Sequence, residues 1–239
     1  MSHTAAHAKK STRCCEKVSK EENSGFNTSI AQSADPTPHN LFQRAQQPDE
    51  LFATYEMENG NLTFIELKPR KAVHAQGMLH KSVDVFLVRG DKVLLQRRSK
   101  YKLIEPLKLD VSTAEHLQYP ESFKHAAKRG LKEELGLTTH DLQKIEQFIC
   151  LRKGTTYNEY SVSNPEDNSQ QHIKDFELSK LYVAVFPEHE KLEIKQISEA
   201  EVAEVRWVSI DELSKKDDTQ FTAWAQTEIP HLLRHFGVE

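Results

Sequence analysis

The chain has 239 residues, enough for one ordinary domain with extensions, and a formal net charge of -4 from 32 basic and 36 acidic residues. So even a balance excludes a protein that holds nucleic acid or an anionic membrane by its overall charge, so any phosphate site has to be local. A hydrophobic share of 37% and a mean hydropathy of -0.66 are those of a folded core diluted by polar chain, and no apolar run is long enough to span a bilayer. Three cysteines, two of them adjacent at Cys14 and Cys15, make neither a disulfide framework nor a zinc spacing, which points to a reducing compartment and a cytoplasmic protein. Cys150 stands in an apolar stretch, where a buried thiol is expected.

Residues 1–48 are rich in Ser, Thr, Ala, His and Lys, are broken by Pro36 and Pro38, and read as a disordered tail before a domain over 49–239. Lys9, Lys10 and Arg13, with no acid among the first 15 residues, give that tail a faint likeness to an organelle-targeting segment. Ordered patterning begins near Glu50, and Asn59-Gly60-Asn61 predicts a hairpin turn into residues 62–65. A second hairpin is predicted from residues 83–88 and 92–97 around Gly90. Residues 99–120 read as loop with a short strand at 109–112, and 122–135 as helix. Further strands are expected at 144–151, 180–186 and 202–208, with the polar stretch 154–174 as an exposed loop. Helices at 210–214 and 221–236 close the chain. Strands mixed with a few helices, without regular βαβ alternation, predict an α+β fold.

In the helix over 122–135, Phe123, Ala127, Leu131 and Leu135 recur every four residues and form one apolar stripe, and Gly136 stands where a left-handed cap ends the helix. Glu133 and Glu134 then face the negative end of the helix dipole, at a cost of a few tenths of a kcal/mol. Two readings are open: solvated surface acids, or ligands of a divalent cation such as Mg²⁺, which takes one or two carboxylates and completes its shell with water and phosphate.

The stretch from Glu121 through Arg129, Gly130, Leu131, Glu133, Glu134 and Gly136 to Leu137 resembles the Nudix box, in which a Gly, a Glu, and an Arg-Glu-aliphatic-any-Glu-Glu-any-Gly-aliphatic run stand at fixed spacing. The resemblance covers about residues 50–236, with Trp207 and Val208 after the box, and implies a Nudix-type mixed β-sheet sandwiched between helices. It implies Mg²⁺ or Mn²⁺ as cofactor, Glu133 and Glu134 as metal ligands, and a small-molecule diphosphate as substrate. Glu121 would brace Arg129. Two positions depart from the pattern: Glu115 replaces the opening glycine and Gly130 replaces the glutamate after Arg129. A mid-helix glycine costs about 1 kcal/mol relative to alanine, so Gly130 is expected to admit a close neighbour, and Glu115 is expected to return a carboxylate to the metal site through that space.

The residues before the box resemble the isopentenyl-diphosphate isomerase-like branch, as does Trp224 with the four residues before it. That resemblance implies a metal held by His74, His80 and His116, where imidazoles suit Zn²⁺ or Mn²⁺. It also implies a catalytic cysteine where this chain has Ala114, and a pair of glutamates after the box for which Asp175 or Glu177 would have to stand. Without a proton-bearing group at Ala114 the allylic protonation lacks a partner, so hydrolysis of a diphosphate is expected first. An isomerase-like prenyl-diphosphate enzyme and a non-catalytic binding module are the alternatives. For hydrolysis, Glu133, Glu134 and Glu115 would act with the metal, Glu201 is the candidate base outside the box, and Arg97, Arg98 and Lys102 are candidates for phosphate binding. No nucleic-acid or membrane partner is expected. Oligomeric state is open, and a dimer is possible.

Overall fold

The computed structural model describes residues 37–194 and 198–238. Most of the expected tail, with Lys9, Lys10, Arg13, Cys14 and Cys15, lies outside the described residues. Residues 38–46, inside that expected tail, are instead helical: α1 (Pro38–Gln46) is capped by the Thr37 hydroxyl and buries Leu41, Phe42 and Ala45. Pro38, which read as a breaker, occupies the first helical turn, where the missing N–H is harmless.

The first hairpin, β1 (Leu51–Glu58) and β2 (Asn61–Pro69), forms a separate two-stranded sheet. Then α2 (Arg70–Gln76), a helix the sequence reading missed, ends on Gly77 with φ +65°, a left-handed turn that delivers the chain into β3 (His80–Arg89). β3 pairs with β4 (Lys92–Arg98) as expected. The single strand expected at 109–112 is two short strands, β5 (Leu109–Asp110) and β6 (Thr113–His116).

The box helix α3 (Phe123–Glu133) is capped by Ser122 and followed by Gly136 at φ +71°. A short α4 (Thr139–Lys144), held by a capping box between Thr138 and Asp141, occupies the start of what read as strand, so β7 begins later, at Gln147. The polar stretch 154–174 is not a loop. β7 (Gln147–Ser163) and β8 (Gln170–Val185) form one long antiparallel hairpin whose register runs out to Ser163 opposite Gln170, and only residues 164–169 turn. Its outer arms read as loop because little of either face is buried there, so apolar alternation is lost while pairing persists. Cys150, on β7, is exposed rather than buried. The chain closes with β9 (Val202–Ser209), α5 (Ile210–Leu213) and α6 (Ala223–His235).

The main sheet runs β5-β4-β3-β8-β7, with β6 on β3 and β9 on β4; β3 and β8 are parallel and the other pairs antiparallel. Side chains alternate across it. Val83, Val85 and Leu87 face Ala126, Ala127, Leu131 and Leu135 around α3, while Phe86 and Val88 face Ala225, Ile229 and Leu232 of α6. A mixed sheet between helices is the α+β architecture expected. Leu131 is fully buried on α3 whereas its neighbour Lys132 is exposed. Leu131→Ala should lower unfolding free energy by about 2–5 kcal/mol in urea titrations, and Lys132→Ala by less than about 0.5 kcal/mol.

Candidate active site

β3 is the strand on which the site is built. Its first half lies between β6 and β8, with His80 opposite Glu177 and Ser82 opposite His116. This register brings His116 and Glu177 to either side of His80. The left-handed turn at Gly77 folds α2 back so that His74 meets them. Ring centroids of the three histidines are 5.2–5.7 Å apart. Phe52 of β1 stacks on His80 at 5.1 Å and on His116 at 4.4 Å, and meets His74 edge-on at 5.7 Å. Phe52 was not singled out from the sequence; its buried ring fixes all three imidazoles, and a lone aromatic in a hairpin carries no signal of that.

Asp175 Oδ1 lies 3.6 Å from His74 Nε2 and 3.4 Å from His80 Nε2, while Glu177 Oε1 lies 3.3 Å from His116 Nε2. One ligand atom from each of His74, His80, His116 and Asp175 falls within 4.8 Å of the others. His74 Nε2, His80 Nε2 and Asp175 Oδ1 are buried without a hydrogen-bond partner among the described residues. Leaving such atoms unmet costs about 1–3 kcal/mol each, and a cation at their centre would meet all three. His80 Nδ1 bonds the Met78 carbonyl at 2.9 Å, which orients the ring and turns Nε2 toward the cluster. Burial and then Arg70 lower the pKa of His74 to about 3 and hold His116 well below its usual value, so both are neutral, as ligation requires. Burial also tends to lower His80, but Asp175 and Glu177 outweigh it and raise that pKa. The residues fit a divalent ion.

The box carboxylates form a second group. Arg129 of α3 donates to Glu121 at 3.1 and 3.2 Å, to Glu115 at 2.8 Å, to Glu133 at 3.4 Å and to the His116 carbonyl at 2.7 Å. Glu115, on β6, lies over Gly130: a Cβ there would sit 2.6 Å from Glu115 Cγ and 2.5 Å from Thr113 Oγ1. The close neighbours that the glycine admits are Thr113 and Glu115, both on β6. Burial, only partly offset by Arg129, raises Glu115 to about 7. Glu134 accepts from Gln96 at 2.9 Å and from Thr113 at 2.7 Å and is pushed well up by burial and then by Glu115. Glu133 is the outermost, its side chain 57% exposed.

One cavity of about 300 Å³ is lined by His74, His116, Asp175 and Glu177 as well as by Glu115, Glu133 and Glu134. Arg70, Arg98 and Lys102 add positive charge to its wall. Arg98 is braced by Asp110 at 3.2 Å and lies over the Trp224 ring at 4.8 Å. Lys102 is ion-paired with Glu201, which also lines the cavity. Arg97 does not reach it: this guanidinium points away, donating to the Leu107 carbonyl at 2.9 Å and lying 3.7 Å from Glu204. Adjacent strand residues project to opposite faces, so only one of Arg97 and Arg98 can enter the site. Arg70 and Glu50 also line the cavity, 3.5 Å apart as an ion pair, and neither was singled out from the sequence. Ala114 presents only a methyl to it.

The NUDIX domain family matches residues 78–227. An isopentenyl-diphosphate Delta-isomerase from Dinoroseobacter shibae is 30% identical over 171 residues, spanning 69% of this chain and 85% of that protein. Nudix hydrolase 3 of Arabidopsis thaliana is 30% identical over 158 residues, 63% of this chain but only 19% of that protein. Among solved structures, DR0079 from Deinococcus radiodurans is similar at 15% identity and TM-score 0.49, covering 78% of this chain and 98% of that one. Gly130→Ala gains about 1 kcal/mol of helix propensity but must displace Glu115 or Thr113, an overpacking that costs about 1–3 kcal/mol. Urea unfolding should therefore find the variant less stable than wild type; a gain in stability would show that Glu115 does not occupy that space.

Proposed function

This chain belongs to the Nudix family, in its isopentenyl-diphosphate isomerase-like branch, and from that premise we propose that it is a divalent-metal-dependent hydrolase cleaving the diphosphate linkage of a small molecule of nucleoside-diphosphate or prenyl-diphosphate type. The observation that carries this reading is that two ligand sets and a cationic wall share one cavity. His74, His80, His116 and Asp175 would hold Mn²⁺ or Zn²⁺; Glu133, Glu134 and Glu115 would hold Mg²⁺ or Mn²⁺. When bound, such ions supply charge for the phosphate oxygens and acidify water.

The chain's own groups do the rest. Arg70, Arg98 and Lys102, which line the same cavity, would orient the phosphates. Arg129 fixes Glu115 and Glu121 so that neither carboxylate has to reorganise during the reaction. Glu115 lines the cavity beside the other box carboxylates, held there by Arg129, and would either join them on the metal or take a proton from water, while Glu201, paired with Lys102, is the candidate outside the box. Against isomerisation stands Ala114, which offers no proton, and Cys150, exposed on β7, does not line the cavity.

With Mg²⁺ or Mn²⁺, the purified chain is expected to release phosphate from a nucleoside diphosphate or from isopentenyl diphosphate, and Glu115→Gln should lower kcat/KM by about 10²-fold or more. An unchanged rate in that variant would remove Glu115 from the mechanism. Conversion of isopentenyl diphosphate to its allylic isomer without phosphate release would replace hydrolase by isomerase, and no turnover on any diphosphate would favour a binding module. Calorimetry with Mn²⁺ tests the histidine centre separately: His80→Ala should weaken binding at least about tenfold, and equal affinity would dissolve that centre.

A further inference from the structure

The cavity that joins the histidine and carboxylate groups is lined by the cations Arg44, Arg70, Arg98, Lys102 and Arg129. All but one are already paired within the chain. Arg70 lies 3.5 Å from Glu50, Arg98 3.2 Å from Asp110 and Arg129 2.8 Å from Glu115, while Lys102 is ion-paired with Glu201. Each of these meets an incoming anion as one end of a dipole, its carboxylate repelling what the cation attracts. Arg44 differs. Its guanidinium lines the cavity with neither an ion pair nor a hydrogen bond among the described residues.

Arg44 also comes from outside the family match, which begins at residue 78. It stands in the last turn of α1, and the residues around it anchor that turn. Leu41 and Ala45 are buried against Ala200 and Tyr101. Gln46 donates to the Tyr101 carbonyl at 2.6 Å, Gln47 to Glu201 at 3.4 Å, and Lys102 Nζ to the Ala45 carbonyl at 3.3 Å. The backbone beneath Arg44 is thereby fixed beside the cavity while its guanidinium stays uncommitted. A cation in a last helical turn complements the helix dipole whichever way it points, so that role accounts for the charge and not for its place in the cavity wall. A guanidinium offers parallel N–H donors that match two oxygens of a phosphate.

We propose that Arg44 is a substrate-binding residue, the uncommitted cation that contacts the phosphate oxygens of the substrate from a helix preceding the matched domain. This assignment rests on the diphosphate reading of the cavity, to which it adds a residue. Calorimetry on the full chain with Mn²⁺ and inorganic pyrophosphate tests it. Arg44→Ala should weaken pyrophosphate binding at least about tenfold, the loss of one charge-assisted contact, and Arg44→Glu should weaken it further. Arg44→Lys should recover part of the loss, since it returns the charge without the fork. Lys153→Ala removes the same charge from an exposed position on β7 outside the cavity, and should leave pyrophosphate affinity within about twofold. Affinity for Mn²⁺ alone should also stay within about twofold in Arg44→Ala, because Arg44 touches neither ligand set. Pyrophosphate affinity equal in Arg44→Ala and wild type, or lowered no more than by Lys153→Ala, would overturn the assignment and leave the diphosphate reading intact. A parallel fall in Mn²⁺ affinity would mark a structural role for Arg44 and overturn it too. Wild type that binds neither pyrophosphate nor ADP nor isopentenyl diphosphate with Mn²⁺ would fail the diphosphate reading, and this assignment with it.

Discussion

The polar half of this site hangs on one guanidinium. Arg129 is held on α3 by the apolar stripe beneath it, and its donors reach three carboxylates and a backbone carbonyl on β6. A half-buried cation with so many acceptors is strongly favoured in its charged form, and its own pKa is raised by Glu121 and Glu115 against the burial that would lower it. Remove that charge and Glu115, Glu121 and Glu133 face one another with nothing between them, the arrangement in which breaking a buried pair costs most. The placement of α3 on the sheet, the direction of β6 and the carboxylates of the cavity are therefore one interdependent unit.

The histidine centre depends on a different constraint, the register of β3 against β6 and β8. Because those strands flank the same segment, His80, His116 and Glu177 converge without any loop having to hold a strained shape. Rigid strands position such groups more tightly than loops do. The cost is the burial of imidazole and carboxylate atoms that find no hydrogen-bond partner among the described residues, which a core selected for stability alone would not keep. Phe52 adds apolar packing over the rings without supplying a competing donor.

What could be read from the sequence was whatever rests on local periodicity or fixed spacing. The stripe through Phe123, Ala127, Leu131 and Leu135, the cap at Gly136 and the pairing of Glu121 with Arg129 are all short-range, and the structure has them. The outer arms of the β7–β8 hairpin were misread because pairing there does not depend on a buried face, so composition and conformation part company. α1 was missed because its buried residues Leu41 and Ala45 pack against Ala200 and Tyr101, far away in the chain. The same limit governs the site. His74, His80 and His116 could be named from the resemblance to the isomerase-like branch, but Arg70, Glu50 and Phe52 acquire meaning only when β1 and α2 fold over β3. Arg97 and Arg98 looked equivalent, and strand alternation separates them.

The exchange between Gly130 and Glu115 explains how a box with two altered positions can keep its carboxylate count. A glutamate at 130 would sit on the helix and reach out from it; with Gly130 instead, β6 approaches the helix closely and Glu115 reaches in from the strand. The two changes are sterically coupled, since any side chain at 130 would collide with Glu115 or Thr113. Moving the acid from helix to strand also places it one residue from His116, whose carbonyl Arg129 holds. The carboxylate group and the histidine group are thereby joined through a single short strand. That junction is where Ala114 stands, between Thr113, which donates to Glu134, and Glu115 itself. On that strand a position that offers no proton stands between a hydroxyl that holds one box carboxylate and a residue that is itself another, and this is why we propose chemistry at phosphorus over proton transfer to carbon.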